Sequence, residues 1–147
     1  MKHCLFLFFF LLLNIQNSLA QHNIGISYHQ SSFTKVGVFA EVFDKGIIEL
    51  RFLDNFIIED FSAEISGFYK MVNKRDHEVY GGVGYAHSAF DELIGAIITV
   101  GANFYPFGNK RFGFQVELNP LIPEFGSPII RASGGFRYKF FKDEKED

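Results

Sequence analysis

Strict two-residue alternation, with charge confined to one parity, is the feature that most constrains this chain. It is plainest in Ile130–Phe141, IRASGGFRYKFF, where Ile130, Ala132, Gly134, Phe136, Tyr138 and Phe140 fall on one side of an extended backbone. Arg131, Ser133, Gly135, Arg137 and Lys139 fall on the other. Side chains alternate across a strand with a period of two, so the segment has an apolar face ending in aromatics and a cationic face. A soluble sandwich turns the polar face to water. A membrane barrel turns the apolar face to lipid and the polar face into its lumen.

The pattern recurs upstream in Asn23–His29, Val36–Phe43, Ile47–Leu53, Phe61–Met71, His77–His87, Ile94–Tyr105 and Phe112–Asn119, which makes eight expected strands. Asp44-Lys45-Gly46 reads as a tight hairpin turn in which glycine supplies the positive φ. Asn73–Asp76 and Pro106–Arg111 read as two more turns. Gln30–Lys35, Asp54–Asp60 (with the apolar island Phe56-Ile57-Ile58), Ser88–Leu93 and Pro120–Pro128 read as loops on the opposite side. Three prolines in the last are expected to keep it out of any ladder. Composition agrees with an all-β chain: 20 Phe, 6 Tyr and 14 Gly in 147 residues.

Met1–Ala20 has the layout of a secretory signal peptide: Lys2 near the start, the apolar run Leu5–Leu13, and Ser18-Leu19-Ala20 with small residues before the expected cleavage. The run is too short to span a bilayer as a helix, which takes about 20 residues. Cleavage after Ala20 removes Cys4, the single cysteine, and with it any disulfide, zinc–thiolate site or cysteine nucleophile. The net charge of −3 gives no basic footprint for nucleic acid.

Glu41, Glu49, Arg51, Glu64, Glu78, Glu117, Arg131, Arg137 and Lys139 all share one face of their strands, and the other faces are smooth and apolar. A solvated sheet carries charge on both faces; segregation fits a lipid-facing exterior. Tyr28, Tyr69, Tyr85, Phe104 and Tyr138 stand near strand ends, where aromatic girdles meet the membrane interfaces. The expected fold is therefore an all-β, eight-stranded antiparallel up-and-down transmembrane β-barrel over residues 21–141, with 142–147 a charged tail. Eight strands enclose a bore only wide enough for side chains. The nine charged residues should then form a packed ion-pair network, a plug rather than a wide pore, since unpaired buried charge is expensive. A narrow gated channel and a soluble, lipocalin-like ligand-binding barrel are the alternatives.

The catalytic residue types are sparse. His87 is followed by Ser88, with Asp91 and Glu92 nearby, but adjacent strand residues point to opposite faces, which argues against a Ser–His pair. His22 and His29 read as surface or rim residues. His77 lies beside Asp76 and Glu78, and no HxH or HxxxH pair marks a metal site. No catalytic residue, metal or cofactor is expected.

Ile98–Pro120 (ITVGANFYPFGNKRFGFQVELNP) and Arg131–Phe141 (RASGGFRYKFF) resemble the small eight-stranded outer-membrane barrels of the OmpX/OmpA-transmembrane-like and Bacteroidetes-type outer membrane protein beta-barrel domain group. The resemblance implies a place in the outer membrane of a Gram-negative cell envelope, with outer-membrane lipid and the barrel assembly machinery as partners. Phe136, Tyr138 and Phe140 are similar to the aromatic assembly signal that machinery reads. Lys142–Asp147 depart from the pattern by following it. The implied function is a porin-like structural or surface-interaction protein, with a protein partner at the outer loops. The alternative is a membrane-embedded lipid A-modifying enzyme of the PagL type, whose Ser–His spacing His87-Ser88 does not match.

Overall fold

Alternating apolar and polar residues, rich in aromatic and β-branched side chains, give a chain whose backbone can be satisfied only by neighbouring strands. In the computed structural model, which describes residues 23–32, 34–53, 62–88 and 93–140, they form one closed antiparallel sheet. Its strands are β1 (Ile24–Gln30), β2 (Thr34–Val42), β3 (Gly46–Leu53), β4 (Ser62–Asn73), β5 (His77–Ser88), β6 (Leu93–Phe104), β7 (Phe112–Leu118), the short β8 (Leu121–Pro123) and β9 (Ala132–Lys139). β1 to β7 pair in chain order, β8 lies against β6, and β9 pairs with β7 and closes the ring on β1 from Gly25 opposite Lys139 to Gln30 opposite Gly134. The expected signal peptide, the charged tail, His22, and the interiors of the Asp54–Asp60 and Ser88–Leu93 loops lie outside the described residues.

β7 and β8 are one wall strand. Val100 faces Leu118 and Ile97 faces Leu121, so the register against β6 runs unbroken through Asn119-Pro120. The wall therefore counts eight strands. This corrects the expectation that prolines hold residues 120–128 out of the ladder. The Pro120 carbonyl accepts from the Ile98 amide at 3.2 Å, so the proline forfeits only its own missing donor. Leu121 and Ile129 exchange two backbone hydrogen bonds at 2.9 and 2.8 Å, folding the remainder into a small hairpin with Gly126 at φ +103°. β9 is correspondingly shorter than the expected Ile130–Phe141.

Partners followed round the wall from Gly25 run through Phe39, Glu49, Ser66, Gly84, Ile97 and Leu121 to Ile129. Ile129 stands five residues before Gly134, the partner of Gln30, so the path closes on the line of β1 ten residues beyond its start. A stagger of this size goes with strongly tilted strands and a bore filled by side chains.

Asn23 and Phe140 lie at one end, here the lower rim, where the Phe140 amide donates to the Ile24 carbonyl at 2.9 Å. The turns 43–45, 74–76 and 105–111 share that rim; the opposite strand ends, Gln30, Thr34 and Leu121 among them, form the upper rim. The first turn departs from expectation. Phe43, not Gly46, takes the positive φ (58°), and its ring is fully turned out instead of inward. Gly46 is needed for a different reason: it pairs with Val42, and a Cβ there would stand 2.5 Å from the Val42 carbonyl.

Gly135 is another close approach, since a Cβ would overlap the Tyr28 carbonyl oxygen, whereas a Cβ on Gly67 meets nothing within 4 Å. Gly135→Ala is expected to lower the unfolding free energy by about 2 kcal/mol or more. Gly67→Ala should change it by less than about 1 kcal/mol. Urea unfolding of the two variants in detergent checks the contrast.

Candidate functional site

The parity of each strand decides which side chains meet inside. Among the described strand residues, no Asp, Glu, Lys or Arg occupies an outward position; Ile26, Val38, Leu50, Ile65, Val83, Ile98, Val100 and Val116 do, and all are exposed. Five glutamates and five lysines or arginines are instead buried in the interior, with His29, Gln115, Asn103, Asn119 and several hydroxyls. This is the reverse of a soluble barrel with an apolar cup.

The interior forms three linked layers. In the middle one, Arg51 donates a fork to Glu117 (Nη1 to Oε2 2.9 Å, Nη2 to Oε1 2.8 Å) and reaches Glu49 Oε2 at 3.0 Å. The Tyr80 hydroxyl donates to Glu117 at 2.6 Å, the Ser27 hydroxyl donates to Glu49, and His29 Nε2 lies 3.0 Å from Glu49 Oε1. Charge-assisted, bidentate bonds of this kind are the strong ones.

Toward the upper rim, Glu64 Oε1 receives Lys35 at 2.6 Å and Arg131 at 2.8 Å. Toward the lower rim, Glu41 Oε1 meets Lys139 at 2.6 Å and Lys70 at 2.8 Å. Glu78 accepts from the Tyr105 hydroxyl at 2.6 Å and lies 3.3 Å from Lys110. Between these layers sits an apolar cluster, Phe39, Ile47, Phe68 and Tyr80, and a second one, Ala86, Ile97 and Leu121, lies higher.

The structure thus brings Glu41, Glu49, Arg51, Glu64, Glu78, Glu117 and Lys139 into ion pairs, with Arg131 half-buried at the upper end. Arg137 is buried but makes no ion pair among the described residues; its guanidinium lies 3.8 Å from the Phe39 ring centroid.

Sequence reading missed several members. His29, expected at the surface or rim, is buried at the centre, where Gln115 Nε2 lies 2.6 Å from its Nδ1. Lys35, assigned to a loop, belongs to β2 and points inward with Gly37, Phe39 and Glu41. Lys70 was legible from parity alone: it shares a face with Glu64, Ser66 and Phe68, and a bulge at Met71 comes only after it.

The remaining expectations fall elsewhere. Phe136, Tyr138 and Phe140 line the outer wall. Phe136 stacks on Tyr28 with centroids 5.0 Å apart, and Tyr138 meets Phe140 edge-on at 5.8 Å. Tyr69, Phe104 and Tyr138 gather near the lower rim with Phe107 and Phe112, and Tyr85 stands near the upper one. Lys45 lies over the Tyr69 ring at 5.8 Å. His87 is exposed on the outer face, opposite Ala63 and Ile94. His77 opens β5 with its Nδ1 2.8 Å from Asp76, whose carboxyl is held below its usual range chiefly by its own backbone N–H and then by His77. Among the described residues no group of three His, Cys, Asp or Glu could hold a metal ion.

Among solved structures, the chain is similar to a de novo designed transmembrane β-barrel, TMB2.3, determined in solution by NMR. The TM-score is 0.58 at 10% identity, over 82% of this chain and 94% of that one. A second match, from work titled "De novo design of transmembrane beta-barrels", has a TM-score of 0.47 at 18% identity, over 80% and 93% of the two chains. No protein-family model matches the sequence, and no curated protein is similar to it. The fold is that of transmembrane β-barrels.

Arg51 is the hub of the middle layer, and removing it leaves two buried carboxylates uncompensated. Arg51→Met is expected to destabilise the barrel by about 3–5 kcal/mol. Adding Glu117→Gln should recover part of the loss, with a coupling energy of about 1 kcal/mol or more in the double-mutant cycle. Urea titrations of the four proteins measure it.

Proposed function

We propose that this chain is an outer-membrane β-barrel of the small eight-stranded kind, serving as a rigid envelope anchor with a structural or surface-interaction role. The observation that carries the reading is the outer wall, apolar at most described strand positions, with the polar exceptions Gln30, Thr34 and His87 near its upper end, and without an Asp, Glu, Lys or Arg among the described ones. Such a surface is tolerated in lipid and not in water. Closure of the sheet leaves no unpaired edge, the condition a β structure must meet to span a bilayer. On this reading the lower rim faces the periplasm and the upper connections face outward.

The filled lumen supports a scaffold over a pore. Each of the five glutamates is held by a cation, and the bore between rims is occupied by side chains. Phe136, Tyr138 and Phe140, on the outer face of the closing strand, are the residues the assembly machinery would read, and membrane lipid is the immediate partner. In this reading the chain is no enzyme, which the outward position of His87, away from the lumen carboxylates, supports.

The first experiment is fractionation followed by unboiled and boiled electrophoresis. The expected outcome is an outer-membrane band that migrates faster unboiled. A soluble band without a shift would overturn the reading. His87→Ala should leave the lipid A profile unchanged by mass spectrometry; a lost modification would instead point to the enzyme.

A further inference from the structure

We propose that the turns 74–76 and 105–111 of the lower rim form a docking platform for an anionic glycerophospholipid of the phosphatidylglycerol kind. Its phosphate would lie on Lys74, Arg75 and Arg111, and its acyl chains on the aromatic side chains just above. The inference rests on the membrane reading and names the lipid favoured at that end of the wall. The two turns are built as one body. The Tyr105 amide donates to the Asp76 carbonyl at 2.7 Å, Arg75 Nε donates to the Gly108 carbonyl at 3.2 Å, and Lys110 Nζ donates to Asn73 Oδ1. Gly108 supplies the bend between them at φ +67°. A surface ordered beforehand in this way loses little freedom when a ligand settles on it.

The free charge of the platform is of one sign. Lys110 is committed to Glu78 at 3.3 Å, and Asp76, the one acid among the described residues of the two turns, is held by His77 Nδ1 at 2.8 Å. Lys74, Arg75 and Arg111 are exposed and form no salt bridge among the described residues. The first turn differs: Lys45 is balanced by its neighbour Asp44 and lies over the Tyr69 ring. Basic side chains alone would suit any phosphate; the aromatics select a lipid. Phe107, in the same turn as Arg111, is 70% exposed and lies 6.1 Å from Phe112, which meets Phe114 edge-on at 5.3 Å. Phe114 and Phe104 stand opposite each other on the outer wall. A cationic edge directly below an exposed aromatic skirt matches a charged head with apolar chains, and each Lys or Arg beside an anionic leaflet adds about fivefold in affinity. Residues 141–147 leave from the same rim with two lysines and four acids, which makes them the rival occupant.

The test folds the full chain in micelles holding equimolar phosphatidylglycerol and phosphatidylcholine and counts bound lipid by native mass spectrometry. Phosphatidylglycerol is expected to exceed phosphatidylcholine by about fivefold or more. The triple variant Lys74→Gln, Arg75→Gln, Arg111→Gln should bring the ratio to about one, while Lys45→Gln should leave it unchanged. Equal counts for the unsubstituted protein, as with a platform covered by its own tail, would overturn the proposal. A preference that survives the triple substitution would do the same, and so would an equal loss with Lys45→Gln, which would reduce the effect to net charge. Glycerol 3-phosphate at the lipid's concentration should displace nothing; displacement would assign the platform to a free phosphate. Unboiled and boiled electrophoresis of each preparation keeps the two readings apart. A shifted band with equal lipid counts sinks this proposal alone, and an unsubstituted protein without a shift sinks the barrel on which it rests. Should only the triple variant lose the shift, Arg111→Gln alone decides, with an expected fall in the ratio of about twofold or more; an unchanged ratio sinks the platform.

Discussion

The narrow bore governs this structure. Eight tilted strands leave no room for a water-filled channel wide enough to solvate charges singly, so ionic side chains turned inward pair with one another, Arg137 alone among the described buried ones lying on a ring instead. Arg51 shows how tightly the requirement is met: one guanidinium serves carboxylates from β3 and β7 on different sides of the wall. The network is therefore also a cross-brace. It ties strands that share no backbone hydrogen bond, such as β2 to β4 through Lys35 and Glu64.

Inside and outside follow from a single variable, the parity of a residue along its strand. A one-residue slip would carry Arg51 and Glu49 out to the apolar surface and Leu50 inward, so register is strongly specified. The closing pair β1–β9 inherits this specification from both faces. Tyr28 stacks on Phe136 outside, and Arg137 packs on Phe39, from β2, within.

Period-two alternation made most of the fold legible before any coordinates. Strand limits differ by one or two residues in most cases, and the outer face expected for β6 is the one seen. Where reading failed, the information was not local. His29 carries no sign in its own neighbourhood that Gln115, from β7, will cover it; only closure of the sheet does that. Lys35 was lost to a boundary, since a lysine beside a presumed loop looks solvated. The prolines of 120–128 were judged as breakers without knowing which edge their missing donors would face. Phe43 defied the expectation that glycine bends the first turn, because the positive φ falls three residues before Gly46, the residue with the freedom to adopt it.

The continuous register through Asn119-Pro120 has a consequence for how this barrel could vary. Because β8 extends the line of β7 without offset, the hairpin above Leu121 adds height to one strand and leaves the stagger of the wall untouched. Residues 125–128, beyond the last bond of the ladder at Glu124, are thus architecturally uncoupled from the bore. Their length and chemistry can drift, or be exchanged for a foreign epitope, without any inward side chain losing its partner.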